Sequence, residues 1–113
     1  MGSGRAADQN IKGAVVIYDT LRRTGLPCAY SHFKKAQAPP YIVYIGSGQD
    51  DMNADDTKYW TRNRFQVEYY FTEKNPEAEA VIEANLLADG YLYEKSADVY
   101  VEDEGVFVIY YQV

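Results

Sequence analysis

The residue Gly46-Ser47-Gly48 triplet follows an apolar run with the spacing that opens a dinucleotide-binding turn. Such a turn needs a third glycine and open backbone N–H groups at a helix N-terminus to hold pyrophosphate. Here the third glycine position is Asp51 and the residues after it add further acid, so phosphate would be repelled. Asp51, Asn53 and Asp55 match the first three ligand positions of an EF-hand loop, but the sixth is Asp56 instead of Gly and the twelfth is Arg62 instead of Glu. The stretch reads as a solvated acidic segment, with a weak cation site as the alternative. Cys28 and His32 lie four apart and could form a thiol and its base; no third group orients them, and a lone Cys more often packs as a small hydrophobe. With one His and one Cys in the chain, a zinc site would have to be built mostly from carboxylates, unlike structural zinc sites. No catalytic, cofactor-binding or metal-binding residue is assigned, no cofactor is expected, and the chain is not read as an enzyme.

Composition narrows the remaining classes. The 113 residues fit one domain, 1–113, with room for a single core. Residues 1–5, which include Met1-Gly2-Ser3-Gly4, read as a disordered or vector-derived leader outside the fold. Seventeen acidic against eleven basic side chains give a net charge of −6, which disfavours a protein that coats nucleic acid. No run approaches the roughly 20 apolar residues of a membrane span, and no signal peptide is evident, so no membrane partner is expected. A single cysteine fits a reducing compartment. Twelve tyrosines suit interfaces between folded subunits, or they complete strands for which tyrosine has good propensity.

The elements that must position these residues follow from periodicity. Arg64 to Thr72 alternates apolar Phe65, Val67, Tyr69 and Phe71 with Arg64, Gln66, Glu68 and Thr72, the pattern of a half-buried strand. Between about Ala6 and Thr24, Ile11, Ala14, Val15, Tyr18 and Leu21 form one helical stripe, widened by Val16 and Ile17 and stopped by Gly25 and Pro27. The segment from Leu26 to Pro40 is a connection with one short strand near Cys28 to Phe33. Tyr41 to Ile45 is apolar on both faces, a central or covered strand. Residues 46–60 are expected to form a long exposed loop between two antiparallel strands. Asn75 caps a second helix with Pro76 at its first position and Gly90 just beyond its end; Ala78, Val81, Ile82 and Leu86 form its buried stripe. Tyr91 to Tyr93, Val99 to Glu102 and Val106 to Val113 read as strands, the last two joined at Asp103-Glu104-Gly105. The expected fold is α+β, in the order α-β-β-α-β-β: one antiparallel sheet of about four strands with two helices on one face.

The last strand is apolar on both faces, and a second subunit is the simplest cover for the face the helices leave open. Candidate interface residues are Asp50, Asp51, Asp55 and Asp56 in the acidic segment, Trp60 and Arg62 after it, and Tyr110 and Tyr111 in the final strand. Trp60 has the alternative role of plugging the end of the core.

The order and spacing of these elements resemble the tail terminators, also called tail-completion or head–tail joining proteins, of long-tailed phages and prophages. The likeness is carried by Thr24-Gly25-Leu26-Pro27 after the first helix, by Pro39-Pro40-Tyr41-Ile42-Val43-Tyr44, by Asn63 to Phe71, by Asn75 to Gly90, and by Val99 to Tyr111. The resemblance implies a structural homo-oligomer, commonly a hexameric ring, at the head-proximal end of the tail. It would end tail-tube growth and contact the tail-tube protein and the head-connector protein, with DNA only passing through its channel. The location implied is the neck of the virion, assembled in the bacterial cytoplasm. A connector-side joining protein would look similar. A small oligomeric binding or regulatory module, with the acidic segment as its recognition loop, is the alternative.

Overall fold

A computed structural model describes residues 17–54 and 58–113, and side chains outside 50–62. The fold is α+β, a mixed six-stranded sheet with two helices. Helix α1 is described over 17–22. The strands are β1 (Cys28–Tyr30), β2 (Tyr41–Ala54), β3 (Lys58–Phe71), β4 (Glu94–Lys95), β5 (Val99–Val101) and β6 (Val106–Gln112), and helix α2 (Pro76–Ala88) lies between β3 and β4. The spatial order is β1-β2-β3-β6-β4, with β5 also on β6.

The expected sheet of about four antiparallel strands is corrected in two places. Cys28–Tyr30 pairs parallel with Ile42–Tyr44, so the edge of the sheet is mixed. A parallel neighbour requires a crossover connection. The chain makes it by turning at Ser31, whose φ of 70° is left-handed and whose N–H donates to the Tyr44 carbonyl, and by running through residues 32–40. The other correction is the far edge. Tyr91 to Tyr93 is not strand; β4 starts at Glu94, and β4 and β5 share one side of β6. Between them Ser96 holds the line, its N–H donating to the Tyr110 carbonyl and its Oγ accepting from the Tyr110 N–H, each at 2.9 Å.

The alternation in β3 places Phe65, Val67, Tyr69 and Phe71 on the helix-facing side with Ile42 and Tyr44 of β2 and Ile109, Tyr111 and Val113 at the chain's end. Ile17 and Leu21 of α1 and Ile82 and Leu86 of α2 close this core, all four fully buried. Burying such side chains contributes about 1.5–3 kcal/mol each. Asn75 Oδ1 accepts from the Ala78 N–H, Pro76 fills the first helical position and Gly90 has φ +87° just after the last turn, as the capping residues require.

The buried stripes are narrower than the apolar patterns. Tyr18 and Val81 are exposed, whereas Thr20 and Glu79 are buried. Both polar residues are paired. The Thr20 hydroxyl donates to Asp89 Oδ2, the acceptor that Arg23 also reaches at 2.7 Å, and this ties the C-terminal ends of the two helices together. The expected stripe residues Ile11, Ala14, Val15 and Val16, and residues 1–5, lie outside the described residues.

Candidate assembly surfaces

The expected loop over 46–60 is instead two strand arms. β2 continues to Ala54 and β3 begins at Lys58, with register pairs running from Gly48↔Arg64 to Ala54↔Lys58. Polar composition hid this, because a stretch rich in glycine, aspartate and other polar residues carries no apolar alternation to read. The seven pairs extend the ribbon by about 20 Å at ~3.4 Å per residue. The body of the sheet does not follow it. β1 pairs with β2 only over Ile42–Tyr44, and β6 pairs with β3 only over Gln66–Phe71, followed by the Phe65–Val113 backbone bonds. Beyond that level neither arm has another strand beside it among the described residues.

Gly46-Ser47-Gly48 lies where the ribbon leaves the body. The register shifts by one residue there, the mark of a β-bulge. Gly48 has φ +126°, a conformation other residues adopt only under strain. Ser47 Oγ accepts from Gln112 Nε2 at 2.7 Å, and the Gly46 N–H donates to the Tyr30 hydroxyl at 3.1 Å. No helix follows these glycines, so the dinucleotide reading has no structural basis. Asp51 and Asn53 lie in strand β2 and Arg62 in strand β3, with no helix flanking either among the described residues, so the EF-hand reading also lacks its frame.

Asp50 and Asp51 occupy β2 opposite Arg62 and Thr61, and Trp60 pairs in register with Met52. Asp55 and Asp56 lie outside the described residues. The other two interface candidates are on opposite sides of the sheet. Tyr110 is half-buried on the face away from the helices, in register with Glu68. Tyr111 is fully buried beneath α2 and donates its hydroxyl to Glu83 Oε2 at 2.8 Å, so its assignment to an interface is corrected. A strand apolar on both sides does not reveal in sequence which face the helices cover.

The face away from the helices is better covered than its composition implied. Val43, Val106 and Val108 are all buried in the single chain. Phe33, carried back by the 32–40 crossover, meets Tyr41 edge-on at 5.3 Å, and Tyr41 stacks on Tyr70 at 5.0 Å. Tyr70 and Gln66 donate to the two oxygens of Glu68 at 2.7 and 2.8 Å. Burial, then the bond to Glu68, pushes the Tyr70 hydroxyl well above its usual range. An open cavity of about 250 Å³ lies between this aromatic run, the crossover and Glu104. Among the described side chains, the large apolar residues left exposed on this face include Ile45 and Val99 at its margins.

An ion-pair chain anchors α2. Lys95 bridges Glu79 at 2.9 Å and Glu83 at 2.7 Å, and Lys74 lies 2.7 Å from the second oxygen of Glu79 and 3.0 Å from Asp98. The Lys74–Glu79 approach is a close ion pair without the alignment of a hydrogen bond. Burial alone would raise the Glu79 pKa; the two ammonium groups outweigh it and hold the carboxyl below its usual range.

Cys28 packs its half-buried side against the core, and burial pushes its thiol above the usual value. His32 Nδ1 is 3.0 Å from Ser31 Oγ, its immediate neighbour. The pair shows no nucleophile–base bond. Among the described residues no three His, Cys, Asp or Glu side chains gather to hold a metal ion, and no helix is long and apolar enough to cross a membrane.

No protein-family model matches the chain, and no curated protein matches it.

Proposed function

We propose that this chain is a structural subunit of a phage tail neck, which assembles into a ring at the head-proximal end of the tail, ends growth of the tail tube and joins the tail to the head connector. The observation that carries this reading is the ribbon formed by 48–54 and 58–64, which leaves the body at a built bulge and has no covering strand among the described residues. A two-stranded ribbon alone is marginal in water, so it gains its stability by being completed from outside the subunit. Around a ring, neighbouring copies or the next component of the neck supply that cover. The resemblance carried by the sequence motifs, the twelve tyrosines and the acidic charge agree with this role. A net charge of −6 per copy is consistent with a ring through which DNA passes without adhering, since an acidic subunit does not bind phosphate.

The test is functional termination. Purified chain is added to tail-tube subunits as they polymerise, and tube length is measured by electron microscopy. Added chain should shorten the tubes and sit at one end of each. Tubes of unchanged length with no terminal density would remove the tail-neck assignment.

A further inference from the structure

The two arms of the ribbon carry opposite charge. The β2 arm, 48–54, contains Asp50 and Asp51 and no basic residue; the β3 arm, 58–64, contains Lys58, Arg62 and Arg64 and no acidic one. Each arm ends the sheet on its own side, so one edge of the ribbon is acidic and the other basic. Resting on the ring reading above, we propose that neighbouring copies pair ribbon to ribbon, the acidic β2 edge of one copy against the basic β3 edge of the next.

Backbone direction and charge select this arrangement together. Within one ribbon β2 and β3 are antiparallel. When copies stand side by side with their ribbons pointing the same way, the β3 arm of one meets the β2 arm of the next, again antiparallel, and the unpaired N–H and C=O groups of both edges are satisfied. A two-fold contact would instead set β2 against β2 or β3 against β3, placing like charges across the new ladder, which destabilises it. Opposite edges therefore favour a head-to-tail contact. Such a contact uses two different patches on each copy, and repeated around an axis it closes into a ring. The charge pattern thus disfavours the simple dimer that an open sheet edge otherwise invites.

The experiment uses two variants of the full chain. D50K/D51K makes both arms basic, and K58E/R62E makes the β3 arm acidic apart from Arg64. Each is examined alone and in an equal mixture by sedimentation velocity and native mass spectrometry, beside the unaltered protein. Alone, each variant needs on the order of tenfold more protein to assemble, or stays monomeric. Mixed, they assemble as particles containing both in equal numbers, because every contact then joins a basic edge to an acidic one. Asp50 is also in register with Arg62 within its own ribbon, but mixing cannot repair an effect inside either chain. Recovery in the mixture is therefore specific to contacts between copies. Assembly of either variant alone as readily as the unaltered chain, or a mixture that stays unassembled, overturns the edge-to-edge pairing while a ring built through other surfaces stands. An unaltered chain that remains monomeric at every concentration overturns the pairing between copies, and the tube-termination assay decides the tail-neck reading separately.

Discussion

Ser47 Oγ accepts a hydrogen bond from Gln112 Nε2 at 2.7 Å, so the bulged residue of β2 is fastened to the end of β6 across the intervening strand. The same amide also donates to the Phe65 carbonyl at 3.1 Å. One side chain thereby fixes where the sheet ends and the ribbon starts. Gln112→Ala removes both bonds, each with a net worth of about 0.5–1.5 kcal/mol, and should lower unfolding stability by about 1–2 kcal/mol in urea titrations. Gly48→Ala should cost a further 1–3 kcal/mol or so, because φ +126° is strained for any residue with a Cβ even though no atom crowds the site. A Gly48→Ala protein as stable as the parent would mean that the bulge is not held as described.

Tyr111 belongs to the core and to the ion-pair chain at once. Tyr111→Phe keeps the ring and deletes the bond to Glu83, which retains Lys95; the expected loss is about 1 kcal/mol. Tyr111→Ala opens a cavity under α2 and should cost about 3–5 kcal/mol. If Tyr111→Ala altered assembly but left monomer stability unchanged, its original assignment to an interface would return.

Glu79 gives the fold an acid limb. Its folded-state pKa lies below the ordinary value of 4.5, so its contribution is fully present above that value and fades as pH falls through the lowered one. Stability measured by chemical denaturation should therefore drop on acidification from about pH 4.5 downward. Glu79→Gln should be less stable at pH 7 and show a shallower decline over that acid range. Parallel pH profiles for the two proteins would exclude Glu79 as a source of the slope.

Cys28 should behave as a packing residue. With its thiol raised by burial, it should react with iodoacetamide at pH 7 more slowly than it does in the urea-unfolded chain. Cys28→Ala should leave assembly intact. Rapid alkylation of the native protein accompanied by loss of assembly would give the thiol a role not assigned to it.

Much of this architecture is legible in the sequence wherever one face of an element is apolar and the other polar. The alternation from Phe65 to Phe71 and the caps at Asn75, Pro76 and Gly90 needed no coordinates. Elements held by polar contacts were not legible in that way. Glu79 and Thr20 look like solvent-facing positions until Lys74, Lys95 and Asp89 arrive from distant parts of the chain. The ribbon is not legible because glycines and aspartates suggest a loop, whereas the opposed Asp50 and Arg62 positions become meaningful only in register. The short parallel strand at Cys28–Tyr30 depends on the crossover through Phe33, a tertiary choice that three residues do not encode.

The most direct measurement is the mass of the native full-length chain across a wide concentration range, with electron microscopy of the heaviest species. Discrete closed rings with a central opening, hexameric by the resemblance, are the predicted result. A chain that stays monomeric at every concentration, with the amides of 48–54 and 58–64 already protected from exchange, would contradict the account.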